Sequence, residues 1–278
     1  MGAEVCHGRE GHDRRGGTRR PLARTGLAVC AAVVLVAGCK GGIDDTDGAK
    51  GGGVRDGGGS ASAPVSDGHA VSPLKNPYGT KPGLAALTSD ADRAAARKLI
   101  TTVTTKGRGP KTGYDRDEFG YAWMDNVDGV PYAHNGCDTR NDLLKRDGRK
   151  VAYRKGSNCV IVSMTLADPY TGRAIQWTKA HATTVQIDHV MPLSYDWQMG
   201  AAHWSKGKRE QIANDPLNLI PVDGPANGAK SDSGPATWLP PSKDIRCAYS
   251  VRFAQVSLKY KLPVTTADKS MMLKQCGG

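Results

Sequence analysis

A hydrophobic run long enough to cross a membrane is missing from the N-terminal part of this sequence. The apolar stretch Leu27–Ala37 falls short of the roughly 20 residues that a membrane-spanning helix needs. A basic stretch precedes it, with arginines as far as Arg24, and small residues follow it up to Cys39. This order is typical of a signal peptide, so residues 1–39 are predicted to direct export.

The end of that segment, Val36-Ala37-Gly38-Cys39, resembles a bacterial lipobox. Such a motif implies cleavage before Cys39 and lipidation of its sulfur. Each buried CH₂ of an acyl chain contributes about 0.8 kcal/mol of membrane affinity. We therefore expect a lipoprotein on the extracellular face of the bacterial cell membrane, and a secreted form without lipid is the alternative.

Apolar residues are scarce between Lys40 and Lys75, where glycine dominates and no internal repeat is visible. A segment of this composition cannot bury a core and is typical of a flexible tether, here residues 40–75. Folding is expected to start near Pro73. Residues 76–278 are predicted to form the globular domain, with an N-terminal α/β part at 76–184, a functional core at 185–240 and C-terminal helices at 241–278.

A C-x-x-C pair is also missing, which argues against a four-thiolate zinc site. The signal peptide carries two of the seven cysteines and Cys39 would take lipid, which leaves Cys137, Cys159, Cys247 and Cys276. Four cysteines allow three pairings. We favour Cys137–Cys159 and Cys247–Cys276, because each bridge joins neighbours in sequence and would stabilise the fold by about 3 kcal/mol.

The chain has a net charge of +11 and a pI near 9.4. A basic protein attracts polyanions over long distances, so a nucleic acid is a favoured partner. Charge alone does not identify that partner, since many exported proteins are basic.

The most informative stretch lies between Gln186 and Asp232. It reads Q-I-D-H-V-M-P-L at Gln186–Leu193, N-D-P-L-N-L-I-P-V-D at Asn214–Asp223 and N-G-A-K-S-D at Asn227–Asp232. Two apolar strands are followed by a helix that is expected to run to Trp238. This order brings one carboxylate, one imidazole and one amide together. Carboxylate and amide oxygens suit Mg²⁺ or Mn²⁺, so the set favours metal-assisted hydrolysis of a phosphodiester bond.

These residues resemble the D-H…N…N-x-x-K-x-D motif of HNH endonucleases. The chain is similar in particular to the GmrSD-type C-terminal HNH family and its secreted members, through D-H-V-x-P-L, A-N-D-P-x-N-L and W-L-P-P. The resemblance covers roughly Gly113 to Cys276. It implies an α+β domain that contains a ββα-metal unit, also called a His-Me finger.

The resemblance also implies roles for individual residues. His189 would be the general base, and Asn218 would brace the loop of the catalytic unit. Asp188 and Asn227 would hold a divalent ion, Mg²⁺ in the first place and Mn²⁺ as the alternative. Lys230 would neutralise a phosphate of the nucleic acid.

Two further cations are candidates for phosphate contacts. Arg209 belongs to a charge run with Lys206 and Lys208, whose alternative interpretation is a solvated helix face. Arg140 lies in a C-D-T-R segment similar to one in the secreted relatives, and its alternative partner is a local carboxylate.

The remaining pattern predicts a mixed fold. A capped helix begins near Thr88, a second helix spans Asp138 to Asp147, and strands near 159–166 and 174–177 form a hairpin on which the first catalytic strand is seated. Short helices are expected within 194–214, and two longer helices within 242–261 and 265–276.

The resulting hypothesis is an exported, metal-dependent endonuclease that acts on DNA rather than RNA. One alternative is a non-catalytic surface lipoprotein that binds DNA or an anionic wall polymer. Another is a metal hydrolase that cleaves a different phosphodiester.

Overall fold

The computed structural model describes residues 69–278. The predicted signal peptide, Cys39 and nearly all of the predicted tether lie outside these residues. Pro73 is already buried, and Gln255 donates a hydrogen bond from Nε2 to its carbonyl oxygen at 2.8 Å. Within this range, no helix has the length and apolar character that a membrane crossing requires.

The described residues contain seven α-helices. Their bounds are α1 Asp90–Thr101, α2 Thr139–Asp147, α3 Leu193–Met199, α4 Lys206–Asn214, α5 Gly224–Lys230, α6 Arg246–Tyr260 and α7 Thr266–Gln275.

The helix starts follow local capping chemistry. Ser89 accepts a hydrogen bond from the Asp92 amide at the start of α1, and Asp138 accepts one from the Asn141 amide at the start of α2. Such caps satisfy amides that have no partner inside the helix. The helices expected near 88, 138, 194–214 and the C-terminus are confirmed.

Five strands form two separate antiparallel sheets. The strands are β1 Gly148–Tyr153, β2 Ile161–Ala167, β3 Ala174–Thr178, β4 Val185–His189 and β5 Leu219–Asp223. The first three form one sheet in the order β1-β2-β3, and β4 pairs only with β5. The predicted β2–β3 hairpin is confirmed, but it does not extend into β4.

The two sheets meet through a shared apolar cluster. Leu143 and Leu144 from α2, together with Trp177 from β3, pack against Val185 and Leu219 of the smaller sheet. A larger core surrounds α6, which is buried continuously over residues 247–257 and contacts α1 and α7. The β4–β5 hairpin is therefore enclosed between two cores.

Two disulfides close local loops, Cys137–Cys159 and Cys247–Cys276. The predicted pairing is confirmed. The first bridge joins the start of α2 to the segment before β2, and the second joins α6 to the end of α7.

The helix that follows β5 is shorter than expected. It ends at Lys230 instead of continuing to Trp238, because Ser231 adopts a positive φ of 51°. The Asp268 carboxylate then accepts a hydrogen bond from the Ala236 amide at 2.8 Å. That carboxylate also lies against Gly234, where a Cβ would come within 2.4 Å of its Oδ1. Tertiary contacts with α7 thus hold this segment in a non-helical path.

Candidate active site

A cleft of about 520 Å³ lies where β4 ends beside α5. We call this the cleft throughout. Its lining includes Asp188 and His189 from β4 and Asn227 from α5. The strand, strand and helix predicted from the sequence therefore bring the carboxylate, the imidazole and the amide to one cavity.

The antiparallel register of β4 and β5 positions the first two residues. Asp188 lies opposite Ile220, and His189 lies opposite Leu219. Successive side chains of a strand point to opposite faces, yet both residues border the cleft because they stand at the strand end. Gln186 lies two residues before Asp188 on β4 and also lines the cleft.

Asp188 is buried between two hydrogen-bond donors. The Tyr170 hydroxyl donates to Oδ2 at 2.5 Å, and Lys230 Nζ donates to Oδ1 at 2.9 Å. Burial raises the pKa of Asp188, and both donors oppose that effect by stabilising the charged form. A carboxylate has about four lone-pair positions, so each oxygen can still accept a further contact.

His189 is buried with a defined tautomer. Its Nε2 lies 3.0 Å from the Ala213 carbonyl oxygen. A carbonyl only accepts hydrogen bonds, so Nε2 carries the hydrogen and Nδ1 keeps its lone pair. Burial, the nearby Arg116 charge and the Lys230 charge lower the pKa of His189 to about 3, although the Ala213 carbonyl opposes them. The ring is therefore a neutral base at pH 7.

Trp123 flanks this imidazole. The two rings are nearly parallel, at 13°, with centroids 6.2 Å apart. The indole thus forms one wall of the cleft beside His189.

Asn227 lines the same cavity. Its Nδ2 donates to Gln186 Oε1 at 2.8 Å, which fixes the amide and leaves Oδ1 as the free acceptor. An amide oxygen and a carboxylate are hard ligands of the kind that Mg²⁺ uses.

The donor set fits a magnesium ion held partly by its substrate. Residues 69–278 contain no group of three or more His, Cys, Asp or Glu side chains that could hold a metal. Mg²⁺ commonly binds one or two protein ligands and completes its shell with water and phosphate oxygens. Asp188 and Asn227 meet that requirement.

Asn218 lies beneath the cleft and is fully buried. Its Oδ1 accepts a hydrogen bond from the Met191 amide at 2.8 Å, and its Nδ2 donates to the carbonyl oxygens of Met191 and Ile212. These bonds tie the end of β4 and the end of α4 to the start of β5.

Two predicted phosphate ligands are engaged elsewhere, and their predicted roles are corrected. Lys230 is 0% exposed, and its ammonium donates to Asp188 and to the His189 carbonyl. Arg209 is also buried and donates to Glu118 and to the Trp204 carbonyl. Both side chains are buried and paired within the protein, which argues against the predicted phosphate contacts.

Arg140 does line the cleft. Its Nη2 donates to the carbonyl oxygens of Ala182 and Val185 at 3.3 and 3.2 Å. Partial burial lowers the pKa of the guanidinium. Its predicted carboxylate partner is replaced by these two backbone carbonyls.

Three residues of this site were not singled out from the sequence as functional. Tyr170 comes from the β2–β3 turn, while Arg116 and Trp123 come from the segment before α2. Arg116 is exposed and has no hydrogen-bond or ion-pair partner among residues 69–278. Both residues lie in a segment rich in aromatic residues, Tyr114 to Trp123, and that clustering is the signal that could have pointed to them.

The protein matches the family model described as GmrSD restriction endonucleases, C-terminal domain, over residues 138–275. It is also 38% identical over 188 residues to a protein of Arthroderma benhamiae named "Uncharacterized secreted protein". That alignment covers 66% of this chain and 85% of the relative. No solved structure matches this chain. With its α+β fold, its two disulfides and this match, the chain belongs to the family of GmrSD restriction endonuclease C-terminal domains.

Proposed function

We propose that this protein is an exported endonuclease that hydrolyses phosphodiester bonds of DNA with the help of a divalent metal ion. The observation that carries this proposal is the convergence of Asp188, His189 and Asn227 on one cleft. Membership of a nuclease family supports the same reaction class.

The metal would be held by Asp188 and Asn227. A bound Mg²⁺ supplies positive charge that stabilises the negative charge developing on a phosphate and on the leaving oxygen. Lys230 and Tyr170 would keep the Asp188 carboxylate oriented toward the cleft, because both its oxygens are anchored. Mn²⁺ would suit the same ligands.

His189 would accept a proton from the attacking water at Nδ1. The Ala213 carbonyl holds Nε2, so only one ring nitrogen is available and it needs no tautomer change. Its lowered pKa keeps the ring uncharged at neutral pH, which a general base requires.

Exposed cations at the mouth of the cleft would hold the phosphate backbone. Arg116 is free of protein partners in the described residues, so it can bind a phosphate without breaking an existing ion pair. Arg140 and Lys111 line the same cavity, and Lys111 already pairs with Asp232 at 2.9 Å. We assign Arg116 the strongest phosphate contact.

Export is supported by the name of the fungal relative and by the two disulfides, which persist mainly in oxidising compartments. Lipidation at Cys39 is part of this proposal, with a plain secreted form as its alternative.

The proposal is tested by replacing the base. His189→Ala should reduce plasmid cleavage in Mg²⁺ by a factor of roughly 10²–10⁴, because a positioned general base contributes about that much. Thr165→Ala is the matched control, since Thr165 lies on β2, outside the cleft, and bonds only Gln176 at the surface. Gel assays would give both rates.

Digestion by His189→Ala at the wild-type rate would contradict the role of His189 as general base.

Chelation of the metal ion distinguishes catalysis from simple DNA binding. Turnover should stop when EDTA removes the metal, whereas a protein that only binds DNA or wall polymer would be unaffected.

A further inference from the structure

A second, smaller cavity of about 140 Å³ opens beside the cleft. We call it the side pocket. Arg116, Trp123 and His189 line both the side pocket and the cleft, so the two cavities adjoin at the proposed base. Tyr121 lines the side pocket but not the cleft.

Tyr121 is an aromatic residue that is 65% exposed. Its hydroxyl donates to Asn126 Oδ1 at 2.9 Å, which limits the freedom of the ring at the surface. Trp123, two residues later, borders both cavities and lies parallel to the His189 ring. The side pocket therefore offers aromatic surface next to the proposed site of hydrolysis.

The loop that carries these rings is held in place before any ligand arrives. Gly120 has a φ of 82°, and a Cβ there would meet Met124 Sδ at 2.6 Å. The Met124 amide donates to Asn214 Oδ1 at 2.9 Å, which fastens the loop to the end of α4. The loop is therefore a preformed wall of the side pocket.

The environment combines what an unpaired nucleotide needs. Aromatic faces stack on nucleobases, and a nearby guanidinium binds the adjoining phosphate. A base inside a duplex is stacked and paired, so its faces are not available to a protein ring. Arg116 stands at the junction of the two cavities, where a phosphate between the cut bond and the base would pass.

We infer that the side pocket binds one unpaired nucleobase beside the bond that is cut, so that the preferred substrate is single-stranded DNA. This inference rests on the proposed nuclease function. It deepens that function by naming the substrate class and by assigning Tyr121 as a specificity-determining residue.

The test compares one DNA oligonucleotide as a single strand and as a duplex with its complement, using the full chain in Mg²⁺. The wild-type protein should cleave the single strand faster. Tyr121→Ala should lower cleavage of the single strand by roughly 5- to 150-fold, which corresponds to the loss of one stacked base. Tyr121→Phe should retain most of the activity because it keeps the ring.

Tyr78→Ala is the matched control, because Tyr78 is 66% exposed and lines neither cavity. It should cleave both substrates at wild-type rates. Circular dichroism spectra of the variants would verify that each is folded.

An abasic oligonucleotide sharpens the result. If the Tyr121 ring stacks on a base, the wild-type protein should cleave more slowly when the nucleotide beside the cut lacks its base. On that abasic substrate, Tyr121→Ala should be only slightly slower than the wild type. Fluorescence anisotropy in EDTA provides a second readout that needs no turnover, with weaker binding of the single strand by Tyr121→Ala.

Equal cleavage of single strand and duplex by the wild type, or a Tyr121→Ala effect that is unchanged on the abasic strand, overturns the inference while leaving the nuclease assignment intact. Failure of the wild type to cleave either substrate in Mg²⁺ contradicts the proposed function instead. In that case the anisotropy measurement still decides whether the side pocket binds an unpaired base.

Discussion

The two sheets of this protein differ in how deeply they are buried. In the β4–β5 hairpin, nearly every residue is buried, including Asp188 and His189. In the three-stranded sheet, β1 has no buried residue and β3 buries only Trp177. The sheet that carries the candidate site is thus enclosed, while the two outer strands of the other sheet are largely exposed.

This difference determines where charged groups need partners. A buried charge without a partner is costly, whereas water satisfies a charge at the surface. Asp188 accordingly has Lys230 and Tyr170, while exposed Lys150 on β1 has no ion-pair partner in the described part of the chain. Substitutions should therefore have larger effects on stability in the enclosed hairpin than in the open sheet.

The largest expected effect comes from breaking the buried ion pair. Lys230→Met should destabilise the protein by about 3–5 kcal/mol, because it leaves the Asp188 charge buried with only Tyr170 as donor. Lys150→Met should change the free energy of unfolding by no more than about 0.5 kcal/mol. Urea denaturation of both variants measures the difference. Equal unfolding midpoints would show that the deeper burial of the β4–β5 hairpin does not make it more sensitive to substitution.

An intermediate effect concerns the disulfides. Replacing both Cys247 and Cys276 by alanine should lower the free energy of unfolding by about 3 kcal/mol, as expected for a closed loop of this size. Under increasing dithiothreitol, the half-buried Cys137–Cys159 bridge should be reduced before the buried Cys247–Cys276 bridge. Thiol alkylation followed by mass spectrometry would report the order, and the reverse order would contradict the exposure difference.

The smallest effect concerns a carboxylate that forms no ion pair among residues 69–278. Asp142 on α2 accepts one bond from Asn135, and within residues 69–278 its Oδ2 has no hydrogen-bond partner. Burial, supported by repulsion from Asp125 and Asp138, raises the pKa of Asp142 from 3.8 to about 6 despite the Asn135 bond. The folded state therefore binds more protons than the unfolded state between these values, so stability falls as the pH rises through about 6.

Asp142→Asn removes the ionisation that lowers stability at high pH. Its amide oxygen still accepts the hydrogen bond from Asn135. It should stabilise the protein by up to about 1 kcal/mol at pH 8 and have little effect below pH 4. Thermal melts at the two pH values would measure it. A gain of equal size at both values would argue against titration of this carboxylate.

Much of the architecture could be predicted because its determinants are local in sequence. The capping residues Ser89 and Asp138 predict the helices that follow them. The apolar run after Cys159 predicts β2. Proximity in sequence was also sufficient for the disulfide pairing. The D-H, N and N-x-x-K elements predicted the order of β4, β5 and α5.

The remainder depends on contacts between distant segments. Tyr170 reaches Asp188 across 18 residues of sequence, and Trp123 reaches His189 from before α2. A lysine such as Lys230 is usually exposed, so its burial becomes evident only once the carboxylate beneath α5 is placed. The early end of α5 likewise depends on Asp268, which is supplied by α7.

The hydrogen bonds of Asn218 also bear on how this fold could vary. By binding both Met191 and Ile212, this one amide joins the two ends of the long segment that separates β4 from β5. Loop closure becomes only slightly less favourable with length, by about 0.6 kcal/mol per doubling. The exposed start of α4 at 205–207 is thus a place where inserted sequence would leave β4 and β5 in register.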